Sequence, residues 1–507
     1  MSVIRSSLLV GLGAGASRVL GFVRDVLFAQ ALGAGPVADA FLAAFRLPNL
    51  MRRVVGEGGL NPALVPVLGA LEADAAAKTA GDVVTVFALA LLGVTGLVEL
   101  GAGLLAFALA PGFAGEPQTL DLVALYTRLA FPAVICITLA SIGAALLNLH
   151  RRYTAASLAP LAMNGGLILA VVLLETHFPL PLVQKAAWLA AASSLAGVVQ
   201  LAIVILALAR GEASIVRFRK PVWSPALKSL LLAGFPALVA SGAVQLFVLV
   251  GTQVASFWPS GVSWLYYADR VVQLPLGLMA ALASSVLLPE LALRYRAGER
   301  QALVDSQNRA IGLGLLLSLP ASVALACLAE PMAFVLFRRG AFDDADAAGT
   351  ALVLLGLSLG LPAATLAKVF SQALFARGAL KGAVAAALIG MAATGLSSVL
   401  LGFAWGVVGI ALGISLGCLA HAAVLVWLLQ QARMWRPDRA LLGKALRIAL
   451  ASALLGGGLL MGLRVSPAPT AVSLAVLCLG GLGFYAATAW LLGAVTWRDL
   501  APPVKKA

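Results

Sequence analysis

Apolar residues run along this chain in long blocks, broken by short clusters of Gly, Pro and charge. At about 1.5 Å per residue, a block of roughly 20 residues crosses the hydrocarbon core of a bilayer as a helix. The period-two alternation of a membrane β-barrel strand is absent, and a helix satisfies its own backbone groups in lipid. The breaks define fourteen candidate spans, at 3–32, 36–67, 82–112, 121–149, 155–176, 184–209, 226–256, 262–292, 308–337, 346–375, 382–403, 405–431, 441–463 and 468–495. The predicted fold class is an all-α polytopic membrane protein.

Composition agrees with that pattern. Of 507 residues, 62% are hydrophobic and 11% charged, against roughly 25% charged in a soluble chain. The four cysteines (Cys136, Cys327, Cys418, Cys478) each stand alone in apolar sequence, with His421 three residues from Cys418. They read as small core residues. Three histidines leave little material for a metal site, and neither a metal nor a cofactor is expected. The first apolar block carries Arg18, Arg24 and Asp25 and lacks a small-residue cleavage pattern, so it reads as a retained span.

Lys and Arg orient the spans. With the N-terminus inside, 22 of the 35 basic residues fall in cytoplasmic segments, and four (Lys185, Arg338, Arg339, Arg464) on the opposite side. This asymmetry predicts both termini in the cytoplasm. The net charge of +14 is then mainly an orientation signal facing anionic bilayer lipid. It is scattered over many loops, which excludes a nucleic-acid patch. The loops are too short for a soluble catalytic domain. Asp343, Asp344 and Asp346 follow the ninth span without a histidine and read as the cap of the tenth. A transporter is expected, not an enzyme.

Nine basic residues lie within or at the edge of spans: Arg18, Arg24, Arg46, Arg52, Arg53, Arg128, Arg270, Lys368 and Arg447. An arginine at the centre of a span costs about 2.5–3.5 kcal/mol and normally faces a bundle interior or a wet cavity. Snorkelling to the interface is the alternative, chiefly for Arg46, Arg52, Arg53, Arg128 and Lys368. Arg18 and Arg24 are six residues apart, about 9 Å along a helix and turned by roughly 120°. The second span is interrupted by Pro48, Gly56, Gly58, Gly59 and Pro62 and carries Asp39, Arg52, Arg53 and Glu57. Interrupted spans of this kind line transporter cavities. In the eighth span, Asp269 and Arg270 precede Gln273 and Pro275, while Trp264, Tyr266 and Tyr267 read as an interfacial aromatic belt. Guanidinium groups on three spans suit the oxygens of a strongly anionic ligand such as a diphosphate.

Three segments, SRVLGFVRD (17–25), GAGPVADAFLAAFRLPNLMRRVVGEGGLNPALVPVL (33–68) and SWLYYADRVVQLPLG (263–277), resemble the MurJ/MviN lipid II flippases of bacterial peptidoglycan synthesis. The fourteen-span layout, FPAVICITLASIGAALLN (131–148) and Arg447 extend the resemblance along nearly the whole chain. It implies two six-helix lobes around a central cavity, spans 1–6 within 1–220 and spans 7–12 within 221–435, with two further helices and a tail in 436–507. It implies a bacterial inner-membrane protein whose partner is lipid II, flipped by alternating access. Carried over by motif, Arg18, Arg24, Arg52 and Arg270 are candidate headgroup ligands, and Asp39, Glu57 and Asp269 gating or ion-pair residues. Arg53, Gln273 and Arg447 join them as secondary candidates. Gln273 stands where some members are acidic, and spans seven and eleven lack acidic residues, which puts in question the sodium site of some members. Two competing readings share the fold: a flippase for another polyprenyl-diphosphate oligosaccharide, as in O-antigen export, and a drug/cation antiporter. The latter would usually need a buried acidic pair.

Overall fold

The computed structural model describes residues 3–52, 64, 67–150, 152–210, 216, 220, 222, 227–228, 239–240, 242–282, 288–465 and 470–495. They are helical, with no strand among them. They belong to two compact units, Met1–Tyr266 with Arg339–Asp343, and Tyr267–Arg338 with Asp344–Ala507.

The first unit contains α1 (Val3–Leu32), α2 (Pro36–Met51), α3 (Ala73–Leu100), α4 (Ala102–Leu109), α5 (Pro117–Ala130), α6 (Ala133–Leu149), α7 (Tyr153–Thr176), α8 (Leu182–Ala209) and α9 (Ala243–Ala255). It also takes in the first residues of α10 (Gly261–Leu282). Most boundaries fall within a few residues of the expected spans. The third span begins earlier, at Ala73, and breaks at Gly101. The fourth begins at Pro117 and is interrupted at Phe131–Pro132, where proline withholds a backbone donor. Pro48, expected to break the second span, is accommodated inside α2.

Helix α7 packs on α1 and α8, α6 on α8, and α5 on α2, α4 and α8. Phe28, Phe41 and Phe45 lie 5.3–5.6 Å apart between ring centroids, with Tyr126 at 6.3 Å from Phe41. The turn after α1 is tight. Gly33 (φ 66°) faces the Ala341 carbonyl, Gly340 (φ 59°) faces that of Gln30, and the Ala341 N–H donates to Gln30 at 2.8 Å. Any Cβ at either glycine would collide with backbone, in a left-handed conformation that glycine adopts freely.

The second unit continues with the rest of α10, then α11 (Leu288–Arg296), α12 (Arg300–Cys327), α13 (Ala329–Phe337), α14 (Asp344–Ser358), α15 (Leu361–Phe375), α16 (Leu380–Gln431), α17 (Arg439–Val465) and α18 (Ala471–Leu491). Asp344 and Asp346 do stand in the first turn of α14, and Asp344 pairs with Arg338 at 2.9 Å. Helix α12 packs on α15 and α17, and α17 on α18. Leu328, Ile448, Leu455, Leu459, Leu474 and Tyr485 form a core there, and the Tyr485 hydroxyl donates to the Leu316 carbonyl at 2.8 Å.

The 52 residues of α16 are two helices joined across a kink. Trp405 and Gly406 leave helical geometry, and the halves fold back on each other. Gly409, Gly413 and Gly417, at every fourth position, lie against Leu401, Ser398 and Thr394. Small residues at this spacing let helix backbones approach closely in lipid. Ser397 and Ser398 add hydrogen bonds to the carbonyls of Gly413 (3.0 Å) and Ile410 (3.2 Å).

Among the described residues, eight helical stretches are long and apolar enough to cross a membrane, or nine if α14 and α15, bent by 43°, count as one more. Their outer faces are apolar and exposed. Leu97 on α3 is 70% exposed and Leu479 on α18 71%. Water does not favour such surfaces at this extent, and lipid does. The chain is a multi-pass membrane protein.

Candidate functional site

The nine basic residues that orientation left over separate by environment. Arg24, Arg46 and Arg270 are buried; Arg52 and Lys368 are half-buried; Arg18, Arg128 and Arg447 are exposed. Arg53 and Glu57 lie outside the described residues. The angular offset expected between Arg18 and Arg24 is realised on α1: one side chain points out and the other in.

Arg24 is fully buried, and its guanidinium is held from several directions. Nε and Nη2 donate to one oxygen of Asp25, at 3.0 and 2.7 Å. Nη1 donates to the Asn164 side-chain oxygen at 3.0 Å. Asn164, on α7, donates in turn to the Ser17 carbonyl (3.1 Å) and hydroxyl (3.3 Å), bridging two turns of α1. The Tyr266 hydroxyl, from α10, donates to the same Asp25 oxygen at 3.0 Å. Phe28 and Phe45 rings lie 5.6 and 5.4 Å from the guanidinium carbon, close enough for cation–π attraction. A charge this buried is tolerable only because it is paired and hydrogen-bonded.

Two further ties join α2 to α9 and α10. Asp39, 1% exposed, accepts the Ser263 N–H at 2.8 Å and the Ser263 hydroxyl. Ser263 is in the first turn of α10, so the carboxylate meets N–H groups that lack an intrahelical partner, at the positive end of the helix dipole. Arg46 donates from Nε to the Thr252 hydroxyl at 3.1 Å and from Nη2 to the Val248 carbonyl at 3.4 Å, with its guanidinium 5.9 Å from the Tyr266 ring. Arg52 donates to Asn49 at 3.4 Å, one turn back on α2.

In the second unit, Asp269 and Arg270 are both buried on α10, and Gln273 donates to Asp269 at 3.0 Å. The glutamine amide thus engages the acid one turn away. Arg447 stands elsewhere and donates to the Gly493 carbonyl just beyond α18, at 3.1 Å. Arg128 does the same for the end of α3, through the Glu99 carbonyl at 3.3 Å. Both exposed arginines therefore serve helix C-termini, where cations are favoured.

Several residues of this constellation carried no expectation from sequence. Arg46 was as readily an interfacial side chain, and Tyr266 and Tyr267 read as a membrane-interface belt. Both tyrosines are instead buried, Tyr266 on Asp25 and Tyr267 against Phe337 at 5.4 Å. Asn164 is a single polar residue in an apolar segment, and that isolation is the signal that could have found it; Thr252 beside Gln253 and Ser263 near Ser260 carry no such signal.

This arrangement has clear relatives. The family described as "Lipid II flippase MurJ" matches residues 28–479. The chain is 38% identical over 366 residues to a probable lipid II flippase MurJ of Rhizobium meliloti (strain 1021), covering 71% of this chain and 68% of that one. It is 32% identical over 358 residues to the lipid II flippase MurJ of Burkholderia cenocepacia, covering 68% of each. The probable lipid II flippase MurJ of Vibrio cholerae is 30% identical over 478 residues, covering 90% of this chain and 89% of that one. Among solved structures, a lipid II flippase MurJ in an inward closed conformation shares the fold, with TM-score 0.79, 22% identity and coverage of 97% and 99%. An inward-facing multidrug transporter of the MATE family does so more distantly, with TM-score 0.67, 17% identity and coverage of 82% and 94%. On the extent of these matches, the chain belongs to the lipid II flippase MurJ family.

Proposed function

We propose that this protein moves lipid II, a polyprenyl-diphosphate-linked disaccharide-peptide, from the inner to the outer leaflet of the bacterial inner membrane by alternating access. Family membership carries the reading of the substrate. Chemistry supports its class: Arg24, Arg46 and Arg270 are buried on three different helices, α1, α2 and α10, and a diphosphate would bring negative charge to such guanidinium groups. Arg18, Arg24, Arg52 and Arg270 are the proposed headgroup ligands, with Asp39, Glu57 and Asp269 as gating or pairing residues and Arg53, Gln273 and Arg447 in supporting roles.

The same reading has fourteen spans, both termini in the cytoplasm, and lobes of six spans in 1–220 and 221–435 followed by two helices and a tail in 436–507. The helix boundaries support the count, and the asymmetry of Lys and Arg supports the orientation. Transport needs no covalent step, so the arginines act by holding charge, and binding shifts the balance between open states.

The test is lipid II translocation in cells depleted of their own flippase. Rescue by this chain, lost on Arg18→Ala or Arg270→Ala without loss of membrane insertion, is the expected result. Rescue of O-antigen export alone would overturn the lipid II assignment.

A further inference from the structure

We propose that Asp25 is a built-in competitor for the anionic ligand: it occupies the phosphate-binding edge of Arg24 in the empty protein, and the ligand displaces it. The inference rests on the reading of Arg24 as a headgroup ligand. It assigns roles to three residues outside the proposed ligand set, Asp25, Tyr266 and Asn164.

Geometry distinguishes the two partners of Arg24. Its Nε and Nη2 form the planar edge that grips two oxygens of a carboxylate or phosphate. Here both groups converge on a single Asp25 oxygen, at 3.0 and 2.7 Å. Tyr266 donates to that same oxygen at 3.0 Å, so three donors share one acceptor atom. A phosphate offers each N–H of the fork its own oxygen and fits this edge better than Asp25 does.

Position on the helix points the same way. Neighbouring residues of an α-helix project about 100° apart and do not face each other. The contact between Arg24 and Asp25 therefore needs holding from outside α1, and Tyr266 supplies it. Asn164 takes the other edge, with Nη1 at 3.0 Å, and is anchored to Ser17 through its amide nitrogen. As a neutral amide on a second helix, it keeps the guanidinium aimed whichever anion holds the fork. Asp25 leaves on binding, and Asn164 stays. On release, Asp25 returns and the buried cation is never left without a counter-ion, a state that would be strongly unfavourable.

The two partners then have opposite effects when removed. The experiment measures binding of farnesyl diphosphate to the purified full-length protein in detergent, with farnesyl monophosphate and inorganic diphosphate as comparison ligands and thermal unfolding as the check on folding. Tyr266→Phe, which keeps the ring beside Arg46 and loosens Asp25, is expected to bind the lipid diphosphate about threefold to tenfold tighter, the net worth of one hydrogen bond. Asp25→Asn is expected to bind tighter still and to release more slowly. Asn164→Ala is expected to bind about tenfold weaker, because the guanidinium loses its fixed partner. A merely structural role would weaken binding in all three. Should Asp25→Asn fail to fold, Tyr266→Phe decides alone. Unchanged or weaker binding in folded Tyr266→Phe, with normal binding by the wild type, overturns this inference and leaves the flippase reading standing. Wild-type protein that binds no diphosphate lipid overturns both, and equal affinity for inorganic diphosphate would mark the site as one for free phosphate, which also overturns it.

Discussion

Asp39 on α2 grips Ser263 on α10 twice, through the backbone N–H at 2.8 Å and through the hydroxyl. The two residues are 224 positions apart, and both are buried. A carboxylate at the N-terminus of a helix is favoured by the helix dipole and by donors that have no partner inside the helix. Asp39→Ala strands two donors, at about 1–3 kcal/mol each. Ser263→Ala removes one of the two bonds and is expected to cost roughly half as much. Thermal unfolding of the two variants in detergent should rank them in that order, and equal midpoints would dismiss the helix-end role.

Arg46 depends on Thr252 in a comparable way. Thr252→Val keeps the shape of the side chain and deletes the acceptor, leaving a buried guanidinium with one fewer partner. The expected loss is about 1–3 kcal/mol. Combined with Arg46→Met, the two changes should be non-additive, with a coupling energy in the range of about 0.5–3 kcal/mol seen for residues in contact. Additive behaviour would show that the pair does not interact in the folded protein.

The seam inside α16 is sensitive to volume. At Gly413 a Cβ would meet the Ser398 backbone, and at Gly417 the Thr394 side chain. Gly413→Leu is expected to lie at or above the upper end of the about 1–3 kcal/mol that overpacking costs, with loss of folded protein by size exclusion. Gly457→Ala on α17, where nothing lies within 4 Å, is the control. It should be neutral or slightly stabilising, since alanine forms helix more readily than glycine.

Arg447 gives a milder case. It is exposed and its contact is the Gly493 carbonyl at the end of α18. An exposed charged contact of this kind is worth up to about 1 kcal/mol. Arg447→Ala should therefore fold with a thermal midpoint near the wild-type value and reduce translocation of lipid II only partly in the depletion assay, as a supporting role requires. Wild-type translocation by the folded variant would remove Arg447 from the substrate path.

How much of this was legible beforehand differs by level. Tyr153–Thr176 was expected at 155–176 and Arg439–Val465 at 441–463, because a long apolar block in lipid has one way to satisfy its backbone. The boundary between 382–403 and 405–431 falls beside the kink that α16 shows at Trp405 and Gly406, although the seam that closes it needed the facing residues Ser398 and Thr394. The helical period likewise put Arg18 and Arg24 on different faces of α1.

Which face turned inward was another matter. Nothing in the neighbourhood of Arg24 announces Asn164, 140 residues away, or distinguishes Tyr266 from an interfacial aromatic. Arg46 looked as ready to snorkel as to pair. By itself the sequence determined that this is a helical membrane protein and where many of its long apolar helices lie, because both follow from local composition and period. Only the tertiary structure decided which of the chain's cations are buried and what holds them. Partners such as Asp39 and Ser263, or Arg24 and Asn164, meet through the rotation and register of helices packed from distant parts of the chain, and no local pattern encodes either.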